Sequence, residues 1–347
     1  MRQLILIVFG FLFFVFGKPA PADVFWLGGN GVWNEPMMWT GNPGGTPGAG
    51  PPGQFTDAIF DGITSSFEVD FLGAGTAGNV RIELDGADAT FELAGHPLTL
   101  RRDFFSRASG AETNRTTIAG GTVTARALSA VAEGLNASQT VTVSDTANFT
   151  LVSASLGSPF ASQLSAHGSG SLLRIEGSVG MDHTALARAD DFGKIVVDNG
   201  ILSVGDRMEI DEAASLELAS SGVTSVENFL EVGIDFFGQV DVNTNSALFT
   251  DGVTHLGVAS TGTGNVSIDS GGRWQFQGAT TVGSLGQGKV TVNGGGQLLG
   301  RHATAHLRLA AGSTASGTLT VGDGVGAQEL FESQASVFVG GTERDTS

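Results

Sequence analysis

Short runs in which apolar and polar residues alternate dominate the chain from about residue 80 onward. Val240-Asp241-Val242, Val266-Ser267-Ile268 and Val290-Thr291-Val292 each place apolar residues two positions apart with a polar residue between them. This period of two is typical of β-strands with one buried face. Gly, Asn and Asp bound almost every run, which is the composition of tight turns. The pattern therefore predicts an all-β protein built from short strands.

The runs recur at a fixed spacing. The segment Val258–Gly272 is followed 24 residues later by Val282–Gly296, and the two share valines and glycines at matching positions. A strand-rich, glycine-punctuated period of roughly 20–30 residues is typical of solenoids, whereas a propeller blade needs about 40–50 residues. We therefore predict a parallel β-helix over residues 63–347, with the clearest repeats at 230–340. It would have about ten to twelve coils with inward-pointing valines, stacked about 4.8 Å apart. A β-sandwich or propeller is the alternative.

One stretch departs from the strand pattern. Residues 125–135 (ARALSAVAEGL) have the best helical composition in the chain, because alanine and leucine are strong helix formers. The composition predicts either one short helix or an irregular loop between strands.

Residues 23–62 form a distinct tryptophan-rich segment. It contains Trp26, Trp33 and Trp39, three of the four tryptophans, and a loop over residues 41–53 that lacks any periodicity. Large aromatic rings close together in a short segment predict a small N-terminal cap packed on the solenoid. Stacking of exposed tryptophans on sugar rings is the alternative, and would make the segment a carbohydrate-binding module.

The first 22 residues have the layout of a secretory signal peptide. Met1-Arg2-Gln3 gives a positive start, the apolar run Leu4–Gly17 follows, and Ala20-Pro21-Ala22 supplies small residues for cleavage. The apolar run is shorter than the roughly 20 residues that a transmembrane helix needs. We predict cleavage after Ala22, an extracellular or cell-surface location, and no membrane span in the cleaved chain.

Composition narrows the classes of function. The net charge is −18, and it becomes −20 once the predicted signal peptide is removed. A field of this sign repels phosphate backbones and anionic lipids, so nucleic acid is not a predicted partner. The absence of cysteine excludes disulfides, thiolate catalysis and cysteine-bound zinc. Glycine, at 53 residues, is about twice as frequent as usual, as a turn-rich fold requires.

Two sets of motifs resemble a known family. The residues 23–33, followed by Trp39, Pro52 and Asp57-Ala58-Ile59-Phe60, resemble the W-x-G-G-x-G-x-W … N-W … P … D-x-A-x-F opening of exported bacterial β-repeat proteins. The chain departs from this motif before Trp39, where it has Met37-Met38. The later V-G-x-x-G-x-G-x-V-x-V-x-x-G-G units resemble autotransporter-associated β-strand repeats. The resemblance implies a right-handed β-helix at the cell surface or in the extracellular matrix, without enzymatic activity.

Two groups of residues are candidates for catalysis. Asp190-Asp191, with His183 and Lys194 nearby in sequence, is the best carboxylate pair for a β-helix glycosidase, but adjacent acids in a polar turn usually just end a strand. A lyase would need a basic cluster, for which Arg101, Arg102 and Arg107 are the candidates.

Two further patterns partly resemble metal-binding sites. His302 and His306 have a spacing that suits a metal only on a helix, and they lie among strand-like residues. Asp241, Asn243 and Asn245 mimic the start of a calcium loop, and on a strand they would share an outward face. A solvated polar ladder is the favoured interpretation of these three, and no catalytic, cofactor or metal residue is predicted.

The leading functional hypothesis is an exported, non-enzymatic structural or adhesive β-solenoid. Its partners would be extracellular polysaccharide or other surface proteins. The alternatives are a polysaccharide-degrading β-helix enzyme and the carbohydrate-binding module. Residues 337–341 (VFVGG) look like the opening of another unit with only six residues after it, which predicts either a truncated chain or a bare final coil. A bare coil would favour end-to-end self-association.

Overall fold

The structure is a computed structural model that describes residues 23–339, except 134–135, 145–146, 153–162, 170, 182–185, 244, 270, 323–329 and 335. The predicted signal peptide at 1–22, the candidate His183 and the chain after Val339 lie outside the described residues. No helix within the described ranges is long and apolar enough to cross a membrane.

Short strands make up almost all of the regular structure, with a single-turn 3₁₀ helix at Pro36–Met38. In chain order the described strands are β1 (Val24–Trp26), β2 (Gly31–Val32), β3 (Trp39–Thr40), β4 (Ala58–Asp61), β5 (Phe67–Asp70), β6 (Gly75–Ala77), β7 (Val80–Glu83), β8 (Asp88–Glu92), β9 (Pro97–Leu100), β10 (Asp103–Ser109), β11 (Thr113–Ala119), β12 (Thr122–Ala125), β13 (Ala127–Glu133), β14 (Ser138–Val143), β15 (Asn148–Leu151), β16 (Gln163–His167), β17 (Ser171–Ile175), β18 (Ser178–Met181), β19 (Leu186–Asp190), β20 (Lys194–Asp198), β21 (Ile201–Val204), β22 (Arg207–Ile210), β23 (Ala214–Ala219), β24 (Val223–Val226), β25 (Phe229–Val232), β26 (Phe237–Val242), β27 (Ala247–Thr250), β28 (Val253–Leu256), β29 (Thr263–Ile268), β30 (Arg273–Phe276), β31 (Thr280–Val282), β32 (Gln287–Val292), β33 (Gln297–Gly300), β34 (Leu307–Leu309), β35 (Ser316–Val321), β36 (Leu330–Ser333) and β37 (Val337–Val339).

From β4 onward these strands coil into three parallel sheets, in which each strand pairs with the strand three positions later along the chain. In the described part of the chain, sheet A has 14 strands and contains β19, β22, β25 and β28; sheet B has 12 and contains β20, β23, β26 and β29; sheet C has 11. The chain passes from sheet B to sheet C to sheet A in each turn and makes about ten turns. The predicted parallel β-helix is therefore confirmed, with a number of turns at the lower end of the expected range.

The register of sheet B confirms the repeat that the sequence predicted. Val240 pairs with Val266, and Val266 pairs with Val290, which lies 24 residues further along the chain. The period is not constant, since Ile195 pairs with Leu216 only 21 residues later. Loops at the corners absorb these differences, so the strands stay in register while the repeat length varies.

The alternating runs place their apolar residues inside the coil, as expected. Val240, Val266 and Val290 are stacked and at most 1% exposed, as are their partners two positions later. These side chains belong to one hydrophobic core that runs from the N-terminal strands to Leu307. Each fully buried valine stabilises the fold by roughly 1.5–3 kcal/mol relative to an exposed one, so the stacked columns supply much of its stability.

The structure differs from the prediction of a helix or an irregular loop at residues 125–135. The described part of this segment forms neither a helix nor an irregular loop, because Ala127–Glu133 is strand β13, paired with β10 on one side and β16 on the other. Leu128 and Ala130 point into the core and are fully buried. Propensity in a short segment is a weak preference, and the backbone hydrogen bonds and burial offered by two neighbouring strands outweigh it.

The N-terminal cap is an aromatic cluster. Trp26, Trp33 and Trp39 are 4%, 0% and 0% exposed, and the ring of Trp39 meets the other two edge to face at centroid distances of 5.0 and 5.1 Å. The indole N–H of Trp39 donates to the backbone oxygen of Trp33 at 2.8 Å. Strand β3 pairs antiparallel with β1 at the edge of sheet A. Packing is thus confirmed as the role of these rings, whose faces are covered and not available for stacking on a sugar.

Candidate binding groove

The corners between sheets A and B form a groove of about 600 Å³. It crosses four successive turns of the solenoid, through the loops that follow β19, β22, β25 and β28. Its lining residues are Asp191, Phe192, Glu212, Ala213, Phe236, Phe237, Thr261 and Thr263. Ligand sites are commonly clefts of roughly 300–1,000 Å³, so the groove is large enough for a small molecule or for a segment of a polymer.

Exposed phenylalanine rings are the main feature of this groove. Phe192 is 60% exposed, Phe236 61% and Phe237 40%, whereas Phe91, Phe104, Phe149 and Phe276 in the solenoid strands are fully buried. Phe192 precedes Phe236 by two turns, which corresponds to about 10 Å along the solenoid axis at the usual strand spacing. The two rings therefore present separate apolar surfaces along one line parallel to the axis.

The backbone beneath Phe192 is in an unfavourable conformation. Asp191 and Phe192 have φ of 47° and 66°, and the N–H of Gly193 closes the turn on the oxygen of Asp190 at 2.8 Å. At a corner between sheets B and C, two glycines, Gly294 and Gly295, occupy the same kind of turn. A side chain in the left-handed region costs about 1–2 kcal/mol. Glu212-Ala213, one turn later, and Ser220-Ser221 adopt the same conformation without glycine, so the cost belongs to these corners, and a 60% exposed phenylalanine does not recover it by burial.

A buried carboxylate positions the second ring. Asp211 is 5% exposed and lies at the corner after β22. Its carboxylate accepts hydrogen bonds from the backbone N–H of Asp235 at 3.1 Å and from that of Phe236 at 3.0 Å, one turn later. Because this carboxylate satisfies two backbone donors, it fixes the loop that carries Phe236 and acts as a positioning residue for the groove.

Acidic residues in the groove differ from those on the sheet faces. Asp191 and Glu212 form no ion pair with any residue that the structure describes. On the outer face of sheet A, by contrast, Asp190 contacts His167 and Arg188, each at 2.7 Å. The groove therefore combines apolar rings with two carboxylates whose charge is not neutralised by the described side chains.

The predicted carboxylate pair is divided between two surfaces. Asp190 is the last residue of β19 and faces outward on sheet A, whereas Asp191 lies in the corner and lines the groove. Lys194 lies on sheet B, where it forms an ion pair with Glu217. The structure therefore does not bring Asp190, Asp191 and Lys194 together as one site.

A second pair of acids, Glu209 and Glu231, lies on sheet A. Glu231 follows Glu209 in register, and the guanidinium of Arg207 lies 3.5 Å from Glu209 and 3.1 Å from Glu231. The pKa of Glu231 is lowered, first by the imidazole of His255, 3.9 Å away, and then by the charge of Arg207, against the effect of burial. A glycosidase acid needs a raised pKa, so Glu231 is not suited to proton donation.

The basic and histidine candidates are dispersed among structural contacts. Arg102 pairs with Asp57 at 3.2 Å, Arg101 lies over the ring of Phe55, and Arg107 pairs with Glu133 on sheet A. These three arginines therefore contact separate partners.

The histidine pair does not form a metal site. Residues 301–306 are a loop, in which His302 contacts Thr304 and the ring of His306 lies against Phe338. No group of three or more His, Cys, Asp or Glu suited to a metal ion occurs in the described part of the chain.

The calcium-like pattern is also interrupted. Strand β26 ends at Val242, so Asn243 and Asn245 lie in the turn, and the expectation that they share a strand face with Asp241 is wrong. Asp241 is half-buried on sheet B and accepts a hydrogen bond from Gln239 at 2.6 Å. Burial raises its pKa, the hydrogen bond from Gln239 lowers it, and the charge of Glu217 raises it further.

The raised pKa of Asp241 predicts that its carboxylate destabilises the fold at neutral pH. A carboxyl whose pKa is higher in the folded state destabilises the fold at pH values where it is ionised, and this effect disappears as the pH falls below the ordinary aspartate value of 3.8. Asp241→Asn should therefore raise the melting temperature at neutral pH by roughly 1 °C, and the difference should vanish in acid. Thermal melts over a pH series measure this, with the exposed Asp85→Asn as control. A calcium-dependent rise in melting temperature that Asp241→Asn abolishes would instead indicate a cation site.

Phe192, Phe236 and Phe237 are functional candidates that the sequence analysis missed. The available signal was Phe192 directly after two aspartates in a polar turn, at a position where a glycine would fit the repeat. Neither exposure nor the alignment of loops from successive turns can be read from that local pattern. Comparison of the chain with protein-family models, with curated proteins and with solved structures finds no match.

Proposed function

We propose that the chain is an exported, non-enzymatic β-solenoid that serves as a structural or adhesive element at the cell surface or in the extracellular matrix. Its contact surface is the groove between sheets A and B. The observation that carries this proposal is the pair of exposed rings, Phe192 and Phe236, two turns apart beside two carboxylates that have no ion-pair partner among the described residues. The signal-peptide pattern at residues 1–22 supports the exported location.

A stiff rod suits this role. About ten turns at the usual strand spacing give a length of roughly 50 Å. The stacked core and the corner hydrogen bonds hold successive turns together, as between Asp211 and the loop one turn later. The groove is built on these stacked turns, so its rings keep their spacing when a partner binds, which reduces the entropy cost of binding.

The acids on the sheet faces support a non-enzymatic role. Asp190, Glu209 and Glu231 each contact arginine or histidine, and the pKa of Glu231 is lowered by such contacts. An inverting or retaining glycosidase needs one protonated and one ionised carboxyl group flanking the substrate. End-to-end association of the rods stays a prediction.

Binding to polysaccharides tests the proposal. The purified protein is incubated with insoluble plant, algal and microbial polysaccharides, and both sedimentation with the polymer and new reducing ends are measured. We expect binding to at least one polymer without release of reducing ends. The double variant Phe192→Ala/Phe236→Ala should bind about tenfold more weakly, as expected for the loss of two stacked aromatic contacts.

The matched control is Phe55→Ala. Phe55 is 51% exposed but lies in the N-terminal cap, outside the groove, so its substitution should leave binding unchanged. Release of reducing ends by the unsubstituted protein would contradict the non-enzymatic proposal. Equal binding by the double variant would show that adhesion does not use the groove.

A further inference from the structure

We propose that the groove binds a linear polysaccharide that carries free amines, with the polymer lying along the solenoid axis. This inference rests on the proposed adhesive function and adds the chemical class of the ligand. Three properties of the groove support it: two carboxylates without an ion pair to any described side chain, the exposed rings, and the spacing of the turns that carry both.

The negative charge of the groove favours a cationic ligand. Asp191 and Glu212 lie in loops of successive turns, about 5 Å apart along the axis at the usual strand spacing. Neither has an ion-pair partner among the described residues, whereas most acids on the neighbouring sheet faces contact arginine, lysine or histidine. An ammonium group between the two carboxylates would form charge-assisted hydrogen bonds. The net charge of −18 would also attract a cationic polymer and repel an anionic one.

The exposed phenylalanine rings favour a ligand with apolar faces. Phe192 and Phe236 are more than half exposed, and each can cover the C–H face of a pyranose ring. An aromatic face also attracts a nearby ammonium group, which adds to the carboxylates. Thr261 and Thr263 complete the lining with hydroxyl groups that can donate to and accept from sugar hydroxyls. Rings, hydroxyls and carboxylates together match an amino sugar better than a small inorganic cation.

The spacing of the turns favours a polysaccharide over an extended peptide. Equivalent groove positions repeat once per turn, at roughly 4.8 Å. A sugar residue in an extended β-linked polymer is about as long as this spacing, so successive sugars can meet equivalent positions of successive turns. An extended peptide advances about 3.3 Å per residue and places side chains on one face about 6.6 Å apart, out of step with the turns.

Calorimetric titration tests the inference with three soluble probes at mildly acidic pH, where amines are charged. The probes are a glucosamine oligomer, an N-acetylglucosamine oligomer of the same length, and an oligolysine of similar charge. We expect the glucosamine oligomer to bind about tenfold more tightly than the acetylated one, as the loss of one charged hydrogen bond predicts. We also expect its affinity to fall with added salt.

Two sets of variants locate the binding. Asp191→Asn/Glu212→Gln should reduce the affinity for the glucosamine oligomer about tenfold while leaving the fold intact. Asp85→Asn is the matched control, because Asp85 is an exposed acid in another corner between sheets A and B, outside the groove. The control should bind like the unsubstituted protein.

The other outcomes separate this inference from the proposed function. If the acetylated oligomer binds as tightly as the glucosamine oligomer, and Phe192→Ala/Phe236→Ala abolishes this binding, the requirement for a free amine is wrong and the adhesive function of the groove stands. If oligolysine binds at least as tightly as the glucosamine oligomer, the ligand is not a polysaccharide, and a basic protein partner is indicated instead. No binding of any probe, together with no binding to insoluble polysaccharides, would overturn both.

Discussion

Replacing Trp39 with alanine is expected to lower the free energy of unfolding by about 3–5 kcal/mol, the range for deletion of a large buried aromatic ring. Trp39 is fully buried and contacts Trp26, Trp33 and Phe60 within the cap. The substitution also removes the indole hydrogen bond to the oxygen of Trp33, and it leaves a cavity at the end of the core. Chemical denaturation followed by tryptophan fluorescence and by circular dichroism measures the loss.

The exposed Met37 supplies the matched control. It lies two residues before Trp39 and is 58% exposed, so Met37→Ala should change the free energy of unfolding by less than about 0.5 kcal/mol. In a solenoid each turn contacts mainly its neighbours, so loss of the cap should melt the first turns before the rest. Unchanged stability in Trp39→Ala, combined with weaker binding to polysaccharide, would contradict the packing role and restore a sugar-binding cap.

Substitution of Gly264 by alanine is expected to lower the free energy of unfolding by about 3 kcal/mol, the upper part of the usual range for an overpacked interior. Gly264 pairs with Gly238 on one side and Gly288 on the other, in a column of four glycines that ends with Gly317 and lies near the start of four successive sheet B strands. A Cβ at this position would overlap the oxygen of Val232 and would lie 2.7 Å from the backbone nitrogen of Gly257. These neighbours are backbone atoms of the preceding corner, so they cannot move aside without breaking the register.

Gly180 is the matched control for this prediction. It lies in strand β18, has an ordinary φ, and a Cβ there would meet no atom within 4 Å. Gly180→Ala should therefore leave the stability unchanged or slightly improved, because alanine restricts the unfolded chain more than glycine does. Thermal and chemical denaturation of both variants make the comparison. Equal stabilities would show that the corner backbone relaxes and that the glycine column is not required by packing.

Much of the fold could be predicted because its determinants are local and repeated. A valine at every second position specifies which face of a strand is buried, and the glycines after it mark the corners, as in residues 258–272 and 282–296. The same pattern one period later specifies which strands become neighbours. Residues 127–133 show the limit of this reasoning, because their alanines suit a helix until β10 and β16 supply hydrogen bonds on both sides.

The candidate site was less accessible to prediction. Asp190 and Asp191 are adjacent in sequence, yet one faces outward on sheet A and the other lies in the groove, because the strand ends between them. Phe192 and Phe236 are 44 residues apart, and they align only because two complete turns separate them. No local pattern distinguishes an exposed phenylalanine in a corner from a buried one in a strand.

Alternation, glycine spacing and the 24-residue repeat are enough to specify strands, corners and neighbouring turns, because strand periodicity and turn geometry depend on a few adjacent residues. The folded arrangement is needed to tell which rings close the cap and which stay exposed, which acids are paired, and where the groove lies. Exposure and charge pairing depend on residues brought together from different turns, and those distances are set by the stacking of the turns.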